Sequence, residues 1–199
     1  MPREASARRL NRDDWTAEAL RTLGAGGLAA VAIEPIAARL GATKGSGYWH
    51  FRGRADLVAC TLARWEAEHT EAVIAQADTG PGPVDRLREL LRVVLGRSGP
   101  FSVELALLAS SDDPLVAPTV RRVTQRRIEY LTSLFRELGF DAVRADRHAL
   151  LAYTTYLGHA QLARTAPDAV PRGGPARAAY LESVLGTLLG REPDPAPPG

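Results

Sequence analysis

Between Ile36 and Leu57 the chain reads I-A-A-R-L-G-A-T-K-G-S-G-Y-W-H-F-R-G-R-A-D-L, and few backbone paths suit that order. Ile36, Ala37 and Leu40 recur at helical spacing, so one face of a first short helix is apolar. Gly41 stops it, because glycine accepts the left-handed backbone on which helices often end. Thr43 is placed to cap a second helix by accepting a main-chain N–H of its first turn. That second helix carries Lys44, Ser46, Tyr48 and His50, all hydrogen-bonding groups. Two short helices about a tight turn, the second donor-rich, form a unit suited to a DNA major groove.

The flanks extend the pattern. A first helix starts after Asn11, which acts as its cap with Asp14 three residues on, a weak form of the capping box. Trp15, Ala19, Leu20 and Leu23 make its buried stripe, and Gly24, Gly26 and Gly27 break it. Pro35 sits in the first turn of the next helix, where proline is tolerated. A long helix follows from about Arg54 to Ala77, with Leu57, Val58, Leu62, Trp65 and Val73 apolar, and the segment Thr79–Pro83 turns. Further helices are expected from Val84 to about Arg97, Phe101 to Ser110, Asp112 to Leu138, Ala142 to Arg164 and Ala176 to Leu189. Ser98-Gly-Pro100, Gly139 and the polar loop Pro167–Pro175 separate them. No sustained period-two alternation argues for strands, so the chain is expected to be all-α.

The run T-K-G-S-G-Y-W-H-F followed by R-G-R-A-D-L resembles the DNA-binding segment of the tetracycline-repressor (TetR) family of bacterial transcription regulators. The resemblance reaches back to Asn11 through N-R-D-D-W-T-A-E-A-L-R-T-L and G-A-G-G-L, and returns as an echo in D-D-P-L-V and R-R-I-E-Y-L-T-S-L-F-R-E-L-G-F. It implies a three-helix head over residues 1–54 bearing the helix-turn-helix, and a helical ligand-binding and dimerisation domain over 55–190. Residues 1–9 are expected to be mobile, and the Pro-rich tail 191–199 disordered. On the second helix of the motif, Thr43, Lys44, Gly45, Ser46, Tyr48, His50 and Arg54 are the expected DNA contacts. Lys44 would donate to guanine or phosphate, Gly45 leaves room for close approach, and the hydroxyls of Thr43, Ser46 and Tyr48 suit phosphates or base edges. His50 and Arg54 would reach adjacent phosphates, and Trp49 and Phe51 are assigned to the head's core.

Three positions depart from the family pattern. Gly47 stands where a large apolar residue is usual, which predicts a gap in the core that Gly47→Phe would fill; the competing expectation is that neighbours such as Trp15 or Trp49 already occupy the space, so that Gly47→Phe would overpack it. Ala32 replaces a Ser or Thr cap, and Arg54 replaces a lysine.

Charge supports a phosphate-bearing partner. Through Arg54 nine basic residues face five acidic ones, while the whole 199-residue chain carries only +2, so the rest is mildly acidic. Lys44 is the chain's single lysine and falls on the expected recognition helix. One cysteine, Cys60, excludes an internal disulfide, and its apolar helix face points to a packed thiol. No apolar run approaches a membrane span, and the N-terminus lacks a signal pattern, so the cytoplasm is the expected location.

The second domain offers candidates rather than a motif. Glu104, Tyr153, Tyr156 and His159 are candidate ligand contacts, with a satisfied core role open for each tyrosine and an interface role for His159. Glu104 would meet a cationic ligand, or more simply face solvent or form a salt bridge. Leu157, Leu181, Val184, Leu185 and Leu188 are the expected homodimer interface, made by the last two long helices. No nucleophile elbow, phosphate loop or metal-spaced histidine pair is present, so no catalytic residue, metal or cofactor is expected. The expectation is a homodimeric repressor released from a near-palindromic operator by a small molecule. The alternatives are a DNA-binding regulator controlled by a protein partner or by abundance, and a helical enzyme that carries this motif.

Overall fold

The computed structural model describes residues 10–96 and 101–190; the two expected mobile ends and the Ser98–Pro100 break lie outside them. Every regular element among the described residues is helical.

The head forms as its local signals dictate. Helix α1 (Arg12–Gly26) opens on a reciprocal capping box: the Asp14 N–H donates to Asn11 Oδ1 at 3.0 Å, and the Asn11 N–H donates to Asp14 Oδ2 at 2.9 Å. It runs through Gly24 instead of breaking there. A Cβ at Gly24 would lie 2.7 Å from Ser102 Oγ and 3.0 Å from Val103 Cγ2, so this glycine serves close packing against a later helix. A 3₁₀ turn (Leu28–Ala30) leads to α2 (Ile33–Leu40), whose Ala32 supplies no side-chain cap. Gly41 takes the left-handed conformation at φ 64° and ends α2. Helix α3 (Lys44–His50) starts where Thr43 Oγ1 accepts the Ser46 N–H at 3.2 Å.

Helix α4 (Arg54–Glu66) continues without a break through a widened π-turn, Ala67–Glu71, into α5 (Ala72–Ala77). The expected single helix is therefore present, with one extra residue inserted into its ladder midway. Helices α6 (Pro83–Val94), α7 (Phe101–Leu108), α8 (Ala117–Glu137), α9 (Ala142–Thr165) and α10 (Gly174–Leu188) complete the body. Helix α8 begins later than Asp112 because Asp113 first makes a turn, its carboxylate accepting the Leu115 N–H at 2.8 Å. Gly139 stops α8 at φ 89°, and Asp141 caps α9 through the Arg144 N–H at 2.9 Å.

Two apolar cores result. The first joins Trp15, Leu23, Ile33, Ile36 and Phe51 of the head to Leu57, Leu62 and Trp65 of α4, Leu107 of α7 and Val123 of α8. The head's core thus continues past residue 54 into helices of the body. The second gathers Leu87 and Leu91 of α6, Leu134 and Phe135 of α8, Ala149 and Tyr153 of α9 and Leu185 and Leu188 of α10.

That second core takes in part of the expected dimer surface. Leu185 and Leu188 are buried in their own protomer, and Leu157, Leu181 and Val184 pack against the same core. The apolar stripe of α10 faces inward because α6 and α9 lie there to cover it. On α9 the large apolar side chains of Val143, Leu150, Leu151 and Leu162 are left exposed.

Candidate nucleic-acid interface and body cavity

Helix α3 is oriented by what it buries. Gly47 and Phe51, four apart, point into the head, where Phe51 is fully buried beside the Trp15 ring (centroids 6.3 Å apart). No gap exists at Gly47. A Cβ there would stand 2.5 Å from Ile33 Cγ2 and 2.8 Å from the Trp15 ring, so those two side chains already occupy the space a larger residue would fill.

With Gly47 inward, the residues that follow it must point out. Trp49 is 72% exposed and meets the His50 ring edge-on at 4.8 Å, so its assignment to the core is overturned. Tyr48 is also exposed. Around it a small polar cluster bridges α2 and α3. Lys44 Nζ lies 2.7 Å from Glu34 Oε1 and 5.6 Å from the Tyr48 ring centroid, and the Tyr48 hydroxyl donates to the same carboxylate oxygen at 3.4 Å. The Lys44 hydrogen bond holds the Glu34 carboxyl below the usual carboxylate range, and Glu34 raises the Lys44 ammonium in return. Gly45 is exposed and Ser46 half-buried on the same short helix, and a Cβ at Gly45 would meet only Thr43 Oγ1, at 3.9 Å.

Arg54 is engaged within the head as well as exposed at its surface. Its Nε donates to the Val31 carbonyl at 3.0 Å and its Nη2 to the Leu28 carbonyl at 2.9 Å, which fastens α4 to the 3₁₀ turn below α2. Beside it, Asp56 accepts the Arg52 N–H at 3.0 Å and an Arg12 Nη2 donor at 3.1 Å, and the Arg52 N–H holds its carboxyl low. Arg12 Nη2 also lies 2.8 Å from Cys60 Sγ, so this half-buried thiol packs against the first core, as expected, while its sulfur meets a polar group.

In the body, a cavity of about 60 Å³ lies among α6, α8, α9 and the π-turn, walled by Thr70, Leu91, Arg127, Tyr130, Tyr153 and Tyr156 with other aliphatic groups. Arg127 closes one end. Its guanidinium donates to Thr70 Oγ1 at 2.9 Å, to the His69 carbonyl at 3.2 Å and to Glu104 Oε1 at 2.7 Å, and it stacks 5.2 Å from the Trp65 ring centroid. The side chains of Arg127 and Glu104 are only 11% and 4% exposed. Burial, then the Glu104 charge, pushes the Tyr156 phenol up.

Of the four expected ligand contacts, Tyr153 and Tyr156 line this cavity. Glu104 neither faces solvent nor lines the cavity; it stands behind Arg127 as its counter-charge. His159 lies elsewhere, stacked on Tyr180 of α10 at 5.7 Å, with burial holding its imidazole pKa low. Sequence reasoning missed Arg127, Thr70 and Tyr130. A signal was available: Arg127 is four residues after Val123 and three before Tyr130, a charge set on the apolar face of α8.

A capped helix-turn-helix with an exposed polar recognition helix, carried on a larger helical body, defines a DNA-binding transcriptional regulator. Comparison agrees. Residues 16–60 match the model of the bacterial regulatory proteins of the tetR family. An uncharacterised HTH-type transcriptional regulator of Mycobacterium tuberculosis is 29% identical over 154 residues, 73% of this chain and 79% of that protein. The fold is shared with a transcriptional regulator of Rhodococcus sp. RHA1 (TM-score 0.72, 21% identity, 91% of this chain and 95% of that one). It is shared also with a transcriptional regulator of Saccharomonospora viridis solved with choline (TM-score 0.71, 18% identity, 90% and 95%). Residues 16–60 thus carry the DNA-binding segment of the tetR family, and the chain as a whole shares the fold of these solved regulators.

Among the described residues, no helix is long and apolar enough to cross a membrane, and no cluster of His, Cys, Asp and Glu is arranged to hold a metal.

Proposed function

We propose that this protein is a homodimeric, cytoplasmic repressor that leaves a near-palindromic operator when a small molecule enters its body. The observation that carries this reading is the reach of Arg127. One guanidinium forms the wall of the body cavity and also grips the π-turn of the helix that connects body to head. Its partner Glu104 sits on α7, which packs along α1 of the head. A molecule that moves Arg127 would therefore shift two elements on which the head rests. It lowers DNA affinity only by the difference in its affinity for the two head arrangements.

Dimerisation supplies the second head. The exposed α9 stripe of Val143, Leu150, Leu151 and Leu162 would pair with its own copy across a two-fold axis. Two heads must then span adjacent major-groove segments roughly 34–36 Å apart. Lys44, Ser46, Tyr48 and the newly exposed Trp49 would face the groove, with Thr43, Gly45 and His50 at its edges.

The cavity of about 60 Å³ is small beside the roughly 300–1,000 Å³ typical of ligand sites, so an effector must widen it. That observation favours one other reading, a regulator without a small-molecule effector. Selecting bound genomic DNA and screening compounds suggested by the neighbouring genes separates the two. A compound that raises the melting temperature and releases the selected duplex supports ligand control. A compound set that binds nowhere in the body, with Arg127→Met leaving DNA affinity unchanged, contradicts it.

A further inference from the structure

The side chain that most restricts the recognition helix is an acid on the helix before it. Glu34 belongs to the first turn of α2, where Ala32 offers no cap, and a negative charge there is favoured by the exposed N–H groups of that turn. It accepts from both Lys44 and Tyr48 of α3 through one carboxylate oxygen, Oε1. Lys44 is the chain's only lysine, and its ammonium is paired with this carboxylate at the exposed surface of the head. All three side chains lie on the exposed face that the head presents to DNA.

We propose that Glu34 is a specificity-determining residue that holds Lys44 and Tyr48 away from DNA phosphates until a base-edge donor takes its carboxylate. This rests on α3 being the recognition helix. The chemistry is one-sided. A phosphate offers no donor to Glu34 and is repelled by it, so every non-specific complex must either break the Lys44 pair or bring two anions together. In the major groove a carboxylate finds partners only at the amino groups of cytosine and adenine. On a site that presents such a group, Glu34 turns to the base and releases Lys44 to a guanine edge or a phosphate. On random sequence it stays on Lys44, and the protein loses a cationic contact. Specificity comes from the sequence-independent complex being penalised, more than from the operator complex being strengthened.

The test uses the full chain and two labelled duplexes: the operator recovered by selection, and a random-sequence duplex of equal length. Glu34→Gln keeps the length and polarity of an exposed side chain and removes its charge. It should tighten random-sequence binding by about fivefold or more at low salt and steepen the salt dependence by about one released counterion. Operator affinity should stay level or fall, so the ratio between the two duplexes drops. In a Lys44→Met background the same substitution should have a much smaller effect, because the contact it frees is gone. Weaker binding of both duplexes by Glu34→Gln would overturn the proposal, since Glu34 would then only position Lys44. So would no change on random sequence while Lys44→Met weakens it, which leaves the recognition helix standing. If Lys44→Met alters neither duplex, the placement of α3 on DNA fails, and the proposal fails with it.

Discussion

Arg127 donates to Glu104 at 2.7 Å between α8 and α7, with both side chains shut away from solvent. A buried pair of this kind costs desolvation on both sides, and what it secures is geometry: α7, α8 and the π-turn are held in one register at the head. Removing one partner alone should therefore be expensive. Glu104→Ala is expected to lower stability by about 3–5 kcal/mol in chemical denaturation, because it strands a buried cation. The double variant Arg127→Met/Glu104→Met should lose much less than the sum of the single changes. Additive losses would show that the two groups act independently.

Gly47 gives a prediction of opposite sign to the one its family context suggests. Since Ile33 and Trp15 already fill the space beside it, Gly47→Ala is expected to destabilise the head by about 1–3 kcal/mol through overpacking, and Gly47→Phe by more. Hydrogen exchange at Ala37–Leu40 should speed up in both. Slower exchange there would mean that a gap exists after all.

The contrast between Gly47 and Trp49 shows how far the head is legible in sequence. Caps were readable because they are local: Asn11 with Asp14, Gly41, and Thr43 with Ser46 need only their own few residues. Trp49 was misjudged because an aromatic residue was given to the core by type. Its angular position on α3, two residues beyond the inward Gly47, points it outward. The apolar face of α10 shows a related limit. Periodicity shows that Leu181, Val184, Leu185 and Leu188 share a face but not which surface covers it, and here their own body does. The Arg127–Glu104 pair was out of reach because its partners stand 23 residues apart on different helices.

Arg54 should behave as a brace. Arg54→Ala removes two donors to main-chain carbonyls and is expected to cost about 1–3 kcal/mol of stability. Below the unfolding temperature, the salt slope of DNA binding should stay as in the parent. A slope flattened by about one counterion would instead make Arg54 a phosphate contact.

His159 predicts a pH dependence. Burial holds its imidazole below the ordinary 6.5, so the unfolded chain binds the proton more readily than the folded one. Its contribution is whole above about pH 6.5 and is lost as pH falls through the lowered folded value. Melting temperature should drop as pH falls below about 6.5, and His159→Gln should flatten that drop. An unchanged slope in the variant would assign the acid sensitivity elsewhere.

Trp49 offers a direct optical reporter. Trp15 and Trp65 are buried and Trp49 is exposed, so Trp49 should dominate the long-wavelength emission. Adding duplex DNA is expected to change that emission, and Trp49→Phe to abolish the change while binding is followed by anisotropy. A change that persists in Trp49→Phe would place the affected tryptophan outside the α3 surface.

The central claim is that α3 reads DNA from a two-headed protein. Selection of bound duplexes from genomic DNA with the parent and with Lys44→Ala tests it most directly. The account predicts near-palindromic sites with half-sites one helical turn apart. It also predicts a loss of about 1–3 kcal/mol with Lys44→Ala, concentrated at one base pair in each half-site. Sites without two-fold symmetry, or a Lys44→Ala profile identical in sequence preference to the parent, would contradict it.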